Sequence, residues 1–439
     1  MKKVVMFSHG HPKYSKGGAE IFAYDFFVSA NTQFDMDCYL FCAGREIPFE
    51  GGVHCKNFSY GNKELTARQF VCNTPGCNYD YFYHRLFHSG AVYRAIIAQI
   101  KKIKPDVIHF QHYLGFGLPL ILCLKNHFKN VPIFLTLHDY FLICAKDGKI
   151  LNSDSNICSK NDPFLCENCY SLGGELKYAM RQQFIANIIQ VVDRFISPSD
   201  YLVSRFLEWG LAEGKIMKIN NGRNIPNNSI PNELEDAGKE LTFKSKNSYK
   251  NSNKNRSKIV SFAFFGQLMS VKGIFLLLDA LKRLPEGINA IFYINGSKYG
   301  LTPQEKEDFD RSIKNLKKIV IFRGSYEQED LPLRMNNVDW VVCPSIWPEN
   351  APLVIQEAYF YKKPIICPSA GAFPEFVTNY KTGIFFNRND SVDLSEKLQL
   401  CCENPKFCKQ LSENIGHQET IKSCVQNHLL LYDNFYNFV

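Results

Sequence analysis

The chain has 439 residues, 45% of them hydrophobic, enough for two to three domains with sizeable cores. Its 51 Lys and Arg outnumber 43 Asp and Glu, for a formal charge of +8 that is not gathered in one basic tail. That excess suits nucleotide substrates or an anionic membrane surface, but aromatic and basic residues do not interleave as a nucleic-acid surface would require. No apolar run reaches the ~18 residues of a membrane helix, and the apolar opening before His9 is too short for a signal peptide. A cytoplasmic protein is therefore expected, with at most peripheral contact at the inner face of a membrane, and most of its 16 cysteines are expected as reduced, packed thiols.

In chain order, residues 3–8 form a short apolar strand. A loop from His9 to Gly18 follows, and a helix opens at Gly18. Gly17 and Gly18 permit close backbone approach, and a helix N-terminus favours an anion, although a plain turn before a helix explains the pair equally well. Strand patterns at 37–42, 107–111, 133–137, 195–198 and 216–220 alternate with helical ones such as 91–103 and 180–192, which predicts a doubly wound parallel sheet. His109 and His112 lie at the end of the third strand and just past it. His138 and Asp139 end the fourth, where a histidine is as often packed as functional.

Cys144, Cys158, Cys166 and Cys169 fall in a loop-like stretch, the last two as Cys-x2-Cys. Four thiolates could close a tetrahedral structural zinc site with no open position for catalysis; unliganded thiols, or a redox pair, explain the residues as well. Residues 228–258 turn rich in Asn, Ser, Lys and Glu and read as a linker or mobile loop. A second strand and helix alternation runs over 259–386. It begins with a strand, Gly266, Gln267, and Lys272 at a helix start, where a compact cation can neutralise a diphosphate.

The richest segment is 347–358, in which seven residues separate Glu349 from Glu357. The stretch 338–345 reads as a buried strand and 353–361 as a helix, with Pro352 in its first turn and Asn350 or Ala351 as cap. The N–H groups of Ala351, Leu353 and Val354 would then point at one anion, with Glu349 above and Glu357 below. A phosphate seat flanked by carboxylates, which accept from hydroxyls, fits a sugar nucleotide better than a bare phosphate. Further on, Gly371, Pro374 and Glu375 read as structural, and 421–438 as a helix.

These residues together resemble the family 4 retaining glycosyltransferases, which carry a Glu-x7-Glu pair on the glycosyltransferase B fold. The resemblance covers nearly the whole chain. It implies two Rossmann-like doubly wound α/β domains facing across a cleft: an acceptor-side domain at 1–227, the linker at 228–258, a nucleotide-sugar donor domain at 259–418, and a terminal helix at 419–439 returning to the first domain. By the same resemblance Glu357 bonds the nucleotide ribose and Glu349 the donor sugar hydroxyls. The backbone from Asn350 to Val354 takes the sugar or distal phosphate, Lys272 the diphosphate, and His138 a sugar hydroxyl, so that Glu349, His138 and Lys272 are the catalytic set. Gly17, Gly18, Gly266 and Gln267 would complete the donor-binding loops. One departure stands out, since the family usually has Arg where this chain has Gln267, which leaves one diphosphate clamp neutral.

The implied function is transfer of a sugar, with retained configuration and no catalytic metal, from a nucleotide-diphosphate sugar to a glycan, lipid-linked or small-molecule acceptor. Cell-surface polysaccharide or glycoconjugate synthesis is the expected setting, with acceptor choice in residues 55–89. A nucleotide-sugar epimerase or phosphorylase on the same fold is the alternative reaction. A zinc-stabilised non-enzymatic binding module is the alternative class.

Overall fold

A computed structural model describes residues 1–15, 17–44, 54–158, 162–171, 173–225 and 259–435. The chain divides into two compact units, Met1–Asn224 with Glu419–Val439, and Ile225–Gln418. The stretch 228–258, expected as a linker or mobile loop, lies outside the described residues.

In the first unit the strands are β1 (Lys2–Ser8), β2 (Met36–Ala43), β3 (Cys55–Asn57), β4 (Gln69–Cys72), a small β5–β6 pair (Tyr79–Asp80, Arg85–Leu86), β7 (Val107–Phe110), β8 (Ile133–Thr136), β9 (Arg194–Ser197) and β10 (Ile216–Lys218). Eight of them form one sheet in the order β10-β9-β8-β7-β1-β2-β4-β3, parallel except for β3 against β4. Val4 to Phe7 are fully buried, as a central strand covered on both faces requires, which is why the sequence shows an unbroken apolar run there rather than alternation. On one face Phe22, Phe26 and Phe27 of the helix Gly18–Gln33 pack with Cys424, Val425 and Tyr432 of the helix Ile421–Asn434. The returning chain is tied in by the Arg223 carbonyl, which accepts from Ile421 N–H at 3.3 Å, and by the Arg223 guanidinium, which pairs with buried Asp25. Gly222 makes that approach possible, because a Cβ there would lie 2.2 Å from the Thr420 carbonyl oxygen.

The second unit contains β11 (Val260–Phe265), β12 (Ala290–Asn295), β13 (Val320–Gly324), β14 (Trp340–Val342), β15 (Ile365–Pro368) and β16 (Gly383–Phe386). They form a wholly parallel sheet in the order β13-β12-β11-β14-β15-β16. Phe262 and Phe292 stack at 4.7 Å in its core, beside fully buried Trp340. Strand order reverses beside β1 in the first sheet and beside β11 in the second. At such a reversal the neighbouring connections leave in opposite directions and open a crevice at the carboxyl ends of the strands. No helix among the described residues is long and apolar enough to cross a membrane.

Candidate functional site

In the second unit the loops that leave β11 and β14 meet at the point of reversal. Gly266 and Gly273, at φ +142° and +75°, adopt backbone that only glycine tolerates easily, and a Cβ on Gly273 would lie 1.8 Å from the Pro344 carbonyl. The contact brings Val271 against the second loop. Its carbonyl accepts from the N–H groups of Ile346 and Trp347, both at 3.1 Å, with the Ser345 hydroxyl at the same distance. Lys272 is thereby aimed at Glu349, Nζ to Oε1 2.7 Å, and lies 5.3 Å from the centre of the Trp347 ring. From the other side Gly371, at φ +61°, presses on the Glu349 backbone, and Ala372 N–H donates to the Glu349 carbonyl at 2.8 Å.

Glu349, Asn350, Gln356 and Glu357 are all buried. The buried Cys343 thiol is pushed up by burial first and then by Glu349 and Glu357, with Lys272 opposing. Burial and the Glu357 carboxylate also raise the Tyr361 phenol to about 12. Gln267 is exposed. The helix itself starts later than the sequence suggested. Pro352 is its cap, in extended backbone at φ −67° and ψ 118°, and the helical residues are Leu353–Phe360. Pro352 has no side chain to cap with and gives its carbonyl to Ile355 N–H at 3.1 Å. Asn350 and Ala351 therefore precede the cap, and Leu353 and Val354 are the residues whose N–H groups have no acceptor within the helix.

The first unit gathers a polar cluster at the carboxyl ends of β1, β7 and β8. His9 and His112 rings lie 4.4 Å apart, His9 Nε2 is 3.1 Å from Glu20 Oε1, and His112 Nε2 is 2.7 Å from Asp139 Oδ2. Leu114 N–H donates to His112 Nδ1 at 3.1 Å, so neutral His112 carries its proton on Nε2 and gives it to Asp139. His138 Nε2 lies 3.1 Å from Gln111 Oε1. Burial first, then His112, lowers His138 to about 3, and it is a neutral ring near pH 7.

Gly17 caps the helix Gly18–Gln33 without a side-chain bond, and a Cβ on Gly17 would lie 2.3 Å from Glu20 Oε2. The anion that this helix start favours is thus, in this structure, its own Glu20 carboxylate. Burial opposes the Glu20 charge, but His9, Ser15 and the Glu20 N–H outweigh it and bring the carboxyl to about 2. His109 belongs elsewhere: it is buried between Thr136 Oγ1 at 2.8 Å and the Tyr432 hydroxyl at 2.5 Å, under the terminal helix. Sequence reasoning missed Glu20, His9 and the His112–Asp139 pair as a group. The available signal was three histidines, each just past the end of a parallel strand.

Cys144, Cys158, Cys166 and Cys169 gather round the backbone at 146–151. Cys144 Sγ is 3.9 Å from the Lys146 carbonyl, Cys169 Sγ 3.6 Å from the Leu151 carbonyl, and Cys158 N–H donates to Ile150. Burial first, then Cys144, Cys158 and Cys169, pushes the Cys166 thiol up to about 12. Among the described residues no three His, Cys, Asp or Glu are arranged to hold a metal ion.

Two doubly wound units of this kind define the class of molecule. Over 99% of this chain and 100% of the other, the fold matches Anabaena Alr3699/HepE, solved in complex with UDP, at TM-score 0.67 and 17% identity. It matches sucrose-phosphate synthase from Thermosynechococcus elongatus over the full length of both chains, at TM-score 0.71 and 16% identity. The fold is accordingly the glycosyltransferase B fold. Residues 17–225 match the family model described as Glycosyltransferase Family 4, and residues 245–418 the model described as Glycosyl transferases group 1. With glycosyltransferase domains in both halves, the chain belongs to the glycosyltransferases of this fold. A D-inositol 3-phosphate glycosyltransferase of Corynebacterium kroppenstedtii is 30% identical over 158 residues, 35% of each chain. The chain spans between 35% and 48% of the length of the curated relatives it matches.

Proposed function

We propose that the protein is a retaining glycosyltransferase that moves a sugar from a nucleoside-diphosphate sugar to a glycan, lipid-linked or small-molecule hydroxyl. The observation that carries this reading is the Lys272–Glu349 pair, 2.7 Å apart beside the entrance of the helix Leu353–Phe360, with Glu357 buried on that helix. A nucleoside-diphosphate sugar presents a diphosphate flanked by two sets of hydroxyls. The site offers a cation and unspent N–H groups flanked by two carboxylates. The UDP bound by the Anabaena protein of like fold favours the same ligand class.

On this reading Lys272 and the N–H groups of Leu353 and Val354 stabilise charge growing on the leaving diphosphate. Glu349 orients the sugar hydroxyls, and Glu357 the ribose. In the first unit His138, neutral and half-buried, is assigned a sugar hydroxyl, and that unit is assigned the acceptor. No side chain at the Lys272–Glu349 site is an evident nucleophile, which favours attack assisted by the leaving diphosphate itself, with retention; these residues supply the charge stabilisation without calling on a metal. Synthesis of a cell-surface polysaccharide or glycoconjugate, on the cytoplasmic side of a membrane, is the setting that fits this chemistry.

The test is a transfer assay over a panel of UDP-, GDP- and ADP-sugars with glycan and lipid-linked acceptors, with the product anomer read by NMR. Transfer with the donor's anomeric configuration is the expected result. Inverted product, or interconversion of the donor sugar without transfer, contradicts the reading.

A further inference from the structure

At the edge of the first sheet, β3 pairs antiparallel with β4 in a register that sets Cys55 directly opposite Cys72. Asn73 N–H donates to the His54 carbonyl at 2.8 Å, and Phe58 N–H to the Gln69 carbonyl at 3.3 Å. Residues 54/73 and 58/69 are therefore hydrogen-bonded pairs, and by alternation 55/72 is a non-hydrogen-bonded one. In such pairs the Cα atoms approach to about 4.5 Å, within the range a disulfide spans. The two sulfurs are 3.1 Å apart and both are thiols. Cys55 is partly exposed, whereas Cys72 is buried. The buried thiol holds its proton: burial first, then its contact with Cys55, raises Cys72 well above the usual range.

We propose that Cys55 and Cys72 form a thiol–disulfide exchange site that reacts with a low-molecular-weight disulfide. Cys55, as thiolate, attacks one sulfur of the small disulfide. A sulfur–sulfur bond forms to Cys55, the reagent's own bond breaks, and its first thiolate leaves. Cys72 then gives up its proton, its sulfur attacks Cys55, and the second small thiolate departs and is protonated. Two protein thiols are oxidised to one disulfide, and one small disulfide is reduced to two thiols.

The bond would close the loop between two residues 17 apart, which contains 58–60. The His11 ring, in the loop after β1, packs on Phe58 and Tyr60 at 4.7 and 4.9 Å, and Lys13 Nζ reaches the Ser59 carbonyl at 3.3 Å. Oxidation thus pins the edge strand and, with it, a segment that abuts the loop after β1. The inference stands apart from the proposed function.

To test it, the folded full chain is incubated with oxidised glutathione, quenched by alkylation and mapped by peptide mass spectrometry, beside Cys72→Ser and Cys55→Ser. The wild type is expected to give a Cys55–Cys72 linked peptide lighter by two hydrogens and free of glutathione. Cys72→Ser should retain glutathione on Cys55, and Cys55→Ser should leave Cys72 unmodified. Stable glutathione on Cys55 of the wild type, linkage of Cys55 to Cys42 instead, or no reaction at Cys55 would each overturn the proposal.

Discussion

Lys272 and Glu349, 77 residues apart in sequence, meet at 2.7 Å because one follows β11 and the other β14, the two strands between which the second sheet reverses its order. The Glu349 side chain is 6% exposed and that of Lys272 35%. A carboxylate so withdrawn from water needs a charged or hydrogen-bonded partner, and Lys272 is that partner. A diphosphate competing for Lys272 would free Glu349 for a hydroxyl, which couples arrival of the leaving group to orientation of the sugar.

Lys272→Ala should lower turnover by about 10²–10³-fold, the scale on which a single positioned charge stabilises a transition state. It should also cost about 1 kcal/mol of stability, because Lys272 is partly solvated while Glu349 is left unpartnered. Adding Glu349→Gln should recover part of the stability and none of the turnover. Steady-state kinetics and denaturant melts of the two single variants and the double variant check both statements.

Glu357→Ala and Glu349→Ala should separate. Loss of Glu357 removes a hydroxyl partner in ground and transition states alike, so KM for the donor should rise with little change in kcat. Loss of Glu349 should mainly lower kcat. Equal and small effects on both parameters would remove these roles.

Gly371→Ala tests the support from behind. At φ +61° an added Cβ would lie 2.7 Å from Glu349 N and 2.8 Å from its carbonyl oxygen, so the backbone that carries Glu349 must move. A stability loss of about 1–3 kcal/mol is expected, together with a fall in turnover beyond what unfolding explains. Wild-type turnover in a variant that remains folded would separate the turn from the site.

Buried histidines set the acid limit. His138 and His84 fall to about 3, and His11 and His428 to about 4, in each case through burial first. Their folded pKa values lie below the unfolded ~6.5, so the unfolded chain binds more protons in between. The stability they confer is complete above ~6.5 and is lost as pH falls, by up to about 1.4 kcal/mol per pH unit for each ring. Glu20, brought to about 2, acts in the same direction below its unfolded ~4.5. The melting temperature should drop steadily from pH 6.5 to 4, with a shallower slope in His138→Gln. A flat profile would contradict the buried, neutral cluster.

Much of this was legible because parallel strands buried on both faces write themselves as apolar runs. The expected strand at 133–137 overlaps β8 (Ile133–Thr136), and 37–42 falls within β2 (Met36–Ala43). Short pieces gave no such signal: β3 and the β5–β6 pair have two or three residues each, fixed by neighbouring chain rather than by their own pattern. At the helix that carries Glu357, proline's fixed φ permits both a first-turn position and the cap. The ψ of 118° that decides between them comes from the packing of the loop. Glu20 was invisible as a site residue because it sits in an ordinary acidic first turn; only the glycines at 10 and 17, which leave room for its carboxylate, reveal it. The Lys272–Glu349 contact joins two loops far apart in sequence, and no local pattern encodes such a distance.

Isothermal titration calorimetry of UDP, GDP and ADP and their sugar conjugates, against wild type and Glu357→Ala, bears on the central claim most directly. Saturable binding of one nucleoside-diphosphate sugar by the wild type, weakened by about tenfold or more in Glu357→Ala, is the expected result. Heat of binding from none of the ligands, or the same affinity in both proteins, would contradict an activated sugar held at the Lys272–Glu349 site.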